Sequence, residues 1–197
     1  MRKQPPQRTC TQVYTRYTAY KSYLQNDFHN RCGYCDDLDI YCGGSAGFHI
    51  DHFRPHSKFN HLKTAYTNLV YACPYCNRGK SNDWPTGLEE ISHQNGKGYV
   101  DPCDADYDNH FERLNNGKIH PTTDVGIYMF EQLKLGLRRH ELAWLTEQAE
   151  QLAREVLAEL NNLSHDSPVR RQALEHHHAQ LTHAYFMLKD RFTETLK

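Results

Sequence analysis

Val13, Tyr17, Tyr20, Leu24 and Phe28 recur at steps of three and four between Thr11 and His29. That spacing predicts an amphipathic helix packing its apolar stripe on the next segment. Residues 1–9, polar and containing Pro5-Pro6, read as a loose arm. The pattern then shortens. Phe48–Phe53 predicts a short strand, stopped by Pro55, and Asn68–Ala72 is a second short apolar run. Pro74 to Lys80 is too short for periodicity, but proline favours a first helical turn and a helix opening there fits. Gly98–Asp101 reads as an edge strand ending at Pro102, and Asn115-Asn116-Gly117 as a hairpin turn between Phe111–Leu114 and Lys118–His120.

From about Asp124 to Leu163 the chain is mostly helix-forming, with Leu142, Leu145, Ala149, Leu152, Val156, Leu160 and Leu163 as its stripe. Ser164–Pro168 breaks it. Val169, Leu174, Leu181, Tyr185, Leu188 and Phe192 line a second helix, so the pair predicts a helical hairpin. These elements divide the chain into an arm and helix (1–30), a compact module (31–122) and a helical region (123–197), an α+β organisation.

A length of 197 residues suits one domain or a domain with an appendage, and is enough to bury a core. The formal net charge of −1 gives no global basic field and argues against tight, free-standing, non-specific DNA binding. No apolar run spans a bilayer, and MRKQPPQRTC lacks the apolar core of a secretory signal. The expectation is a cytoplasmic protein that does not bind membranes.

Four of the seven cysteines change the picture. Cys32, Cys35, Cys73 and Cys76 make C-x2-C-x37-C-x2-C, two turns that each bring two thiolates to one point. Together they suit a closed tetrahedral Zn²⁺ site that stabilises rather than catalyses; the competing reading is a set of reduced core cysteines. Cys42 is a substitute ligand at an unsuitable spacing. Cys10 and Cys103 read as ordinary thiols, and His176-His177-His178 as a solvated helix face, since consecutive helix positions diverge.

Between the cysteine pairs lies His49-Ile50-Asp51-His52, and just after the last cysteine Asn77. Asp offers a hard oxygen and Asn a neutral carbonyl oxygen, a sparse set suited to Mg²⁺ or Mn²⁺. His52 titrates near neutrality and suits removal of a proton from water. A metal, a base and nearby cations make a phosphodiester hydrolysis site. In a regular strand Asp51 and His52 point to opposite faces, so both serve one site only where the strand ends or bulges. His49 reads as an extra ligand, as a neighbour of one, or as an ordinary strand histidine.

Asp51-His52, Asn68 within TNLVYAC, and Asn77 within CNRGKSND resemble the HNH, or ββα-metal, endonuclease superfamily in order and spacing. NRGKSN is also similar to the last HNH segment of CRISPR effector nucleases. The resemblance implies a ββα core braced by the zinc knuckle, with Asp51 and Asn77 as ligands of one catalytic ion, His52 as the base, and Asn68 pinning the loop that carries it. Many relatives end on His where this chain has Asn77, which makes it an HNN variant. HFRP (His52–Pro55), Tyr66-Thr67-Asn68-Leu69, GYVDPCDAD and LGLRRHEL are similar to a subgroup that includes the nuclease subunits of Septu anti-phage systems (PtuB) and retron-linked relatives. That likeness implies an ATPase partner subunit.

Between residues 52 and 82, Arg54, Lys58, Lys63, Arg78 and Lys80 stand against no acid; between 83 and 112, eight acids stand against Lys97 alone. A basic face beside an acidic flank fits phosphate binding, with Arg54 and Lys80 as candidate phosphate contacts, or else solvated surface charges. The acidic run reads equally as a solvated loop. The function expected is therefore a metal-dependent HNH endonuclease acting on DNA. Its rivals are an RNA (tRNA) nuclease of the same fold and a non-catalytic zinc-stabilised binding module. Outward-facing stripes on the last helices would dock the ATPase or a second copy.

Overall fold

A computed structural model describes residues 1–163 and 167–196 of the chain. It contains two compact units, Met1–Leu137 and a second from Arg138 onward. No helix among the described residues is long and apolar enough to cross a membrane.

The first unit is built on a small antiparallel pair. Strand β1 (His49–His52) runs beside β2 (Leu69–Ala72), with His49 opposite Ala72, Ile50 opposite Tyr71, Asp51 opposite Val70 and His52 opposite Leu69. Every residue of β2 is buried, so it reads as a continuous apolar run rather than an alternation. Helix α2 (Pro74–Lys80) follows at once. Cys73 caps it through its sulfur, which accepts from the Cys76 backbone N–H, and proline occupies the first turn. Gly79 lets α2 approach the end of helix α3 (Asp124–Gln132), since a Cβ there would lie 2.4 Å from the Gln132 carbonyl oxygen.

Helix α1 (Lys21–Asp27) packs on β2 and is shorter than the apolar periodicity predicts. A 3-10 turn over Tyr17–Tyr20 precedes it, residues 11–14 are irregular, and Val13 is 92 % exposed. Only Tyr20, Leu24 and Phe28 of the stripe are buried. Nor is the arm over residues 1–9 loose. Arg2 bonds to Asp108 at 3.1 Å and to the Pro102 carbonyl at 2.7 Å. Arg8 pairs with Asp101 at 3.0 Å, and Thr9 bonds to Asp27 through both its backbone N–H and its hydroxyl.

Two small hairpins follow. β3 (His93–Gln94) and β4 (Lys97–Gly98) turn through Asn95-Gly96, both at positive φ, a turn chemistry matched to the strand twist. The expected strand at Gly98–Asp101 is instead this hairpin's exit into irregular chain. β5 (Phe111–Arg113) and β6 (Ile119–Pro121) form the expected hairpin, closed by the Gly117 N–H on the Leu114 carbonyl. α3 belongs to this first unit.

Tyrosine hydroxyls organise the core. Buried phenols need acceptors, and the aspartates supply them. Tyr66 donates to Asp27, Tyr71 to Asp39, and both Tyr99 and Tyr128 to Asp83. Several acids of the 83–112 run are thus paired with phenols or arginines rather than solvated. Trp84 stacks on Tyr99 with centroids 6.2 Å apart and meets Phe53 edge-on at 5.3 Å.

The second unit is a helical hairpin of α4 (Arg138–Asn162) and α5 (Pro168–Glu194), packed along each other. Arg170 pairs with Glu159 near one end, and Arg139 lies over the Phe192 ring near the other, which makes them antiparallel. Most of the break expected over Ser164–Pro168 lies outside the described residues. Leu152, Leu157, Val169, Phe186 and Met187 are exposed.

Candidate functional site

Two turns carry the sulfurs. The first runs from Cys32 to Asp37, with the Asp36 N–H on the Cys32 carbonyl, the Cys32 N–H on the Asp37 carbonyl, and Asp36 at φ 67°. Gly33 presses it onto Phe28, the residue that caps α1, where a Cβ would come within 2.7 Å of the ring. The second turn is the start of α2. Together they bring the Cys32, Cys35, Cys73 and Cys76 sulfurs within 4.8 Å of one another, all buried. Cys42 lies outside the cluster. The Cys35 and Cys73 sulfurs are 3.8 Å apart, the edge expected for a tetrahedron with Zn–S bonds of about 2.3 Å. Burial opposes ionisation of Cys32, yet hydrogen bonds from Cys35, Cys73 and Cys76 hold its thiol well below the usual range. The donor set and spacing fit Zn²⁺ in a closed structural site.

The open site lies across β1 and α2. Asp51, His52, Asn77 and Arg78 line one cleft of about 480 Å³, with Tyr17 and His56 on its wall. β1 ends at His52 without a bulge, so the two neighbours serve one cleft from different sides. The His52 imidazole lies between the Tyr17 ring at 4.9 Å and the His56 ring at 4.6 Å. Its Nε2–H donates to the Lys63 carbonyl at 2.9 Å. A carbonyl only accepts, so the ring proton sits on Nε2 and Nδ1 is left as the basic nitrogen. Burial lowers the His52 pKa from its ordinary value, with the Lys63 hydrogen bond opposing and the nearby His56 charge assisting.

Asp51 is 5 % exposed. Its Oδ2 accepts the Tyr34 hydroxyl at 2.5 Å and lies 3.3 Å from the Lys80 ammonium, whereas Oδ1 has, among the described residues, only Lys80 at 3.5 Å. Asn77 donates its Nδ2–H to His49 Nδ1 at 2.8 Å, which leaves Oδ1 without a partner among the described residues. Burial, then Lys21 and Arg78, lower the His49 pKa and favour the unprotonated acceptor this bond needs. One lightly held carboxylate oxygen and one amide carbonyl are hard ligands suited to Mg²⁺ or Mn²⁺. His49 thus bonds to the Asn77 side chain, a role the sequence left open.

Asn68 closes the loop that leaves β1. Its Oδ1 accepts the Arg54 N–H at 2.8 Å, its Nδ2–H donates to the Arg54 carbonyl at 2.9 Å, and the Phe53 N–H reaches the Asn68 carbonyl. This bonding pins the backbone two residues past His52.

Neither expected phosphate contact lies free in the cleft. Lys80 is 0 % exposed, and its ammonium is spent on Asp51 and on the His52 carbonyl at 2.8 Å. Arg54 donates to the Glu89 carbonyl at 2.8 Å and lies over the Phe53 and Trp84 rings. Among the described residues lining the cleft, Arg78 is the exposed arginine or lysine. It follows Asn77 in the sequence, and i+1 adjacency to that candidate ligand on a short helix is the signal the sequence carries. Tyr34 and Tyr17 had none, because nothing local marks a tyrosine that reaches another element. Asp101 is engaged by Arg8, and the His176–His178 run joins no metal-holding group among the described residues.

Residues 32–83 match the family model described as HNH endonuclease. No curated protein and no solved structure matches the chain.

Proposed function

We propose that the first unit is a divalent-metal-dependent endonuclease that hydrolyses phosphodiester bonds in DNA. His52 Nδ1 takes a proton from the attacking water while Nε2–H stays on the Lys63 carbonyl, which steadies the imidazolium that forms. Burial lowers the His52 pKa and so favours the neutral imidazole that accepts that proton. Asp51 and Asn77 Oδ1 would hold Mg²⁺ or Mn²⁺, which when bound supplies positive charge to the scissile phosphate and the leaving 3′ oxygen. Arg78 offers a further cation at the cleft. The products expected are a 5′ phosphate and a 3′ hydroxyl.

The observation that carries this reading is the His52 tautomer, fixed by a backbone carbonyl inside a cleft shared with Asp51 and Asn77. The likeness of HFRP (His52–Pro55) and Tyr66-Thr67-Asn68-Leu69 to Septu nuclease subunits supports an anti-phage role in the cytoplasm beside an ATPase subunit. The exposed Leu152, Leu157, Phe186 and Met187 of the second unit suit such docking.

The test is cleavage by the purified chain, alone and with the product of a neighbouring ATPase gene, in Mg²⁺ or Mn²⁺. His52→Ala should lower the rate by about 10²–10⁴ in a protein that remains folded by circular dichroism and keeps its zinc. Cleavage at the parental rate by that variant would sink the assignment.

A further inference from the structure

A second cleft, of about 430 Å³, abuts the first and shares Tyr17, Ile50 and Asn77 with it as a common wall. Thr18, Lys21 and His49 complete its polar side, and no carboxylate lines it among the described residues. The Lys21 ammonium is anchored on the Phe48 carbonyl and lies over the Tyr71 ring, so its charge is fixed in place beside the cleft. Tyr17 stands between the two clefts, half-buried, with its ring against His52 and its hydroxyl without a hydrogen-bond partner among the described residues. Tyr17, Thr18 and Lys21 come from outside the stretch that matches the HNH family.

The chemistry of this cleft is that of a nucleotide: an aromatic wall for a base, a fixed cation and a hydroxyl for phosphate and sugar, and no acid to repel them. Its volume is at the low end for a binding pocket and suits one monomer unit rather than a duplex. A base still stacked in a duplex presents no face to a side chain, whereas an unstacked one does. We propose that this cleft holds an unpaired nucleotide adjoining the scissile phosphate, stacked on Tyr17, so that the substrate is DNA with a single-stranded or extrudable nucleotide at the cut. The proposal rests on the nuclease reading, and names which DNA that site accepts.

The test measures binding by the full chain, without added Mg²⁺ or Mn²⁺, to a fluorescent single-stranded oligonucleotide and to its blunt duplex. Tyr17→Ala should weaken single-strand binding about fivefold or more, the low end of what one stacked base contributes, and leave duplex binding within about twofold. Tyr17→Trp keeps a ring and should bind as the parent does. Thr18→Glu places a carboxylate in the cleft at an exposed position and should weaken single-strand binding similarly. The subsite is overturned if Tyr17→Ala binds single strands like the parent, if both substrates weaken together, or if Tyr17→Trp loses binding as Tyr17→Ala does. A flat Tyr17 result would leave cleavage through His52 standing. A His52→Ala protein that still cuts would sink the nuclease reading without touching this comparison.

Discussion

The Lys80 ammonium lies 3.3 Å from Asp51 Oδ2 and 2.8 Å from the carbonyl of His52, with no part of Lys80 exposed. One side chain from the last turn of α2 therefore grips both the carboxylate and the backbone of the two residues at the end of β1. A lysine in a polar run such as NRGKSN looks like a surface cation. Its removal instead leaves a buried carboxylate with a single hydroxyl donor.

Lys80→Met should therefore destabilise the first unit by about 3–5 kcal/mol, the cost of stranding one member of a buried pair. The denaturant midpoint measures it. Were Lys80 a phosphate contact, the midpoint would stay put and the salt dependence of DNA binding would change instead.

His49 decides how Asn77 is turned. Removing its acceptor nitrogen frees the amide to rotate, and partners behind a ligand typically contribute about 10–100-fold in metal affinity. His49→Ala should weaken Mn²⁺ binding, followed by electron paramagnetic resonance without substrate, within that range. His49→Gln, which keeps an acceptor, should recover part of it. Equal Mn²⁺ affinity in all three proteins would show that the hydrogen bond does not orient the ligand.

The four sulfurs predict a separate phenotype. Cys73 is both a sulfur of the cluster and the cap of α2. Cys73→Ser should lower the zinc content of the purified protein and its melting temperature together, and a strong chelator should do the same to the parent. Full zinc content in the variant would remove Cys73 from the set.

Asp27 sets an acid limit. Burial pushes its carboxyl up, but hydrogen bonds from the Thr9 hydroxyl and backbone and from Tyr66 outweigh that and hold it below the ordinary value near 4. A depressed folded value means the stabilisation is present above about pH 4 and is lost as pH falls through the folded value. Asp27→Asn should therefore cost stability at pH 7, with the gap from the parent closing as the pH is taken to 3. A gap independent of pH would mean the carboxylate charge does not matter.

What the sequence shows and hides follows the range of the interactions. The C-x2-C turns, β1, β2, α2 and the Asn115–Gly117 hairpin are local patterns, and the structure has each where the residues suggest. The cysteine cluster also joins as its spacing implies. Lys80, Tyr34 and Arg2 act across 29, 17 and 106 residues, and no period or motif records such pairings. The helix stripe overreached at Val13 for a related reason. Spacing shows where a helix would be amphipathic, but not whether a neighbour exists to cover its first turn.

The pairing of residues 2 and 8 with residues 108 and 101 also sets a schedule. All four sulfurs are made once Cys76 is added, yet the carboxylate that holds Arg2, Asp108, comes 32 residues later. At a synthesis rate of about 5–20 residues per second that is an interval of seconds. Until then Arg2 lacks its carboxylate partner, so the arm's start is the last part of the first unit's cysteine-bearing half to be tied down.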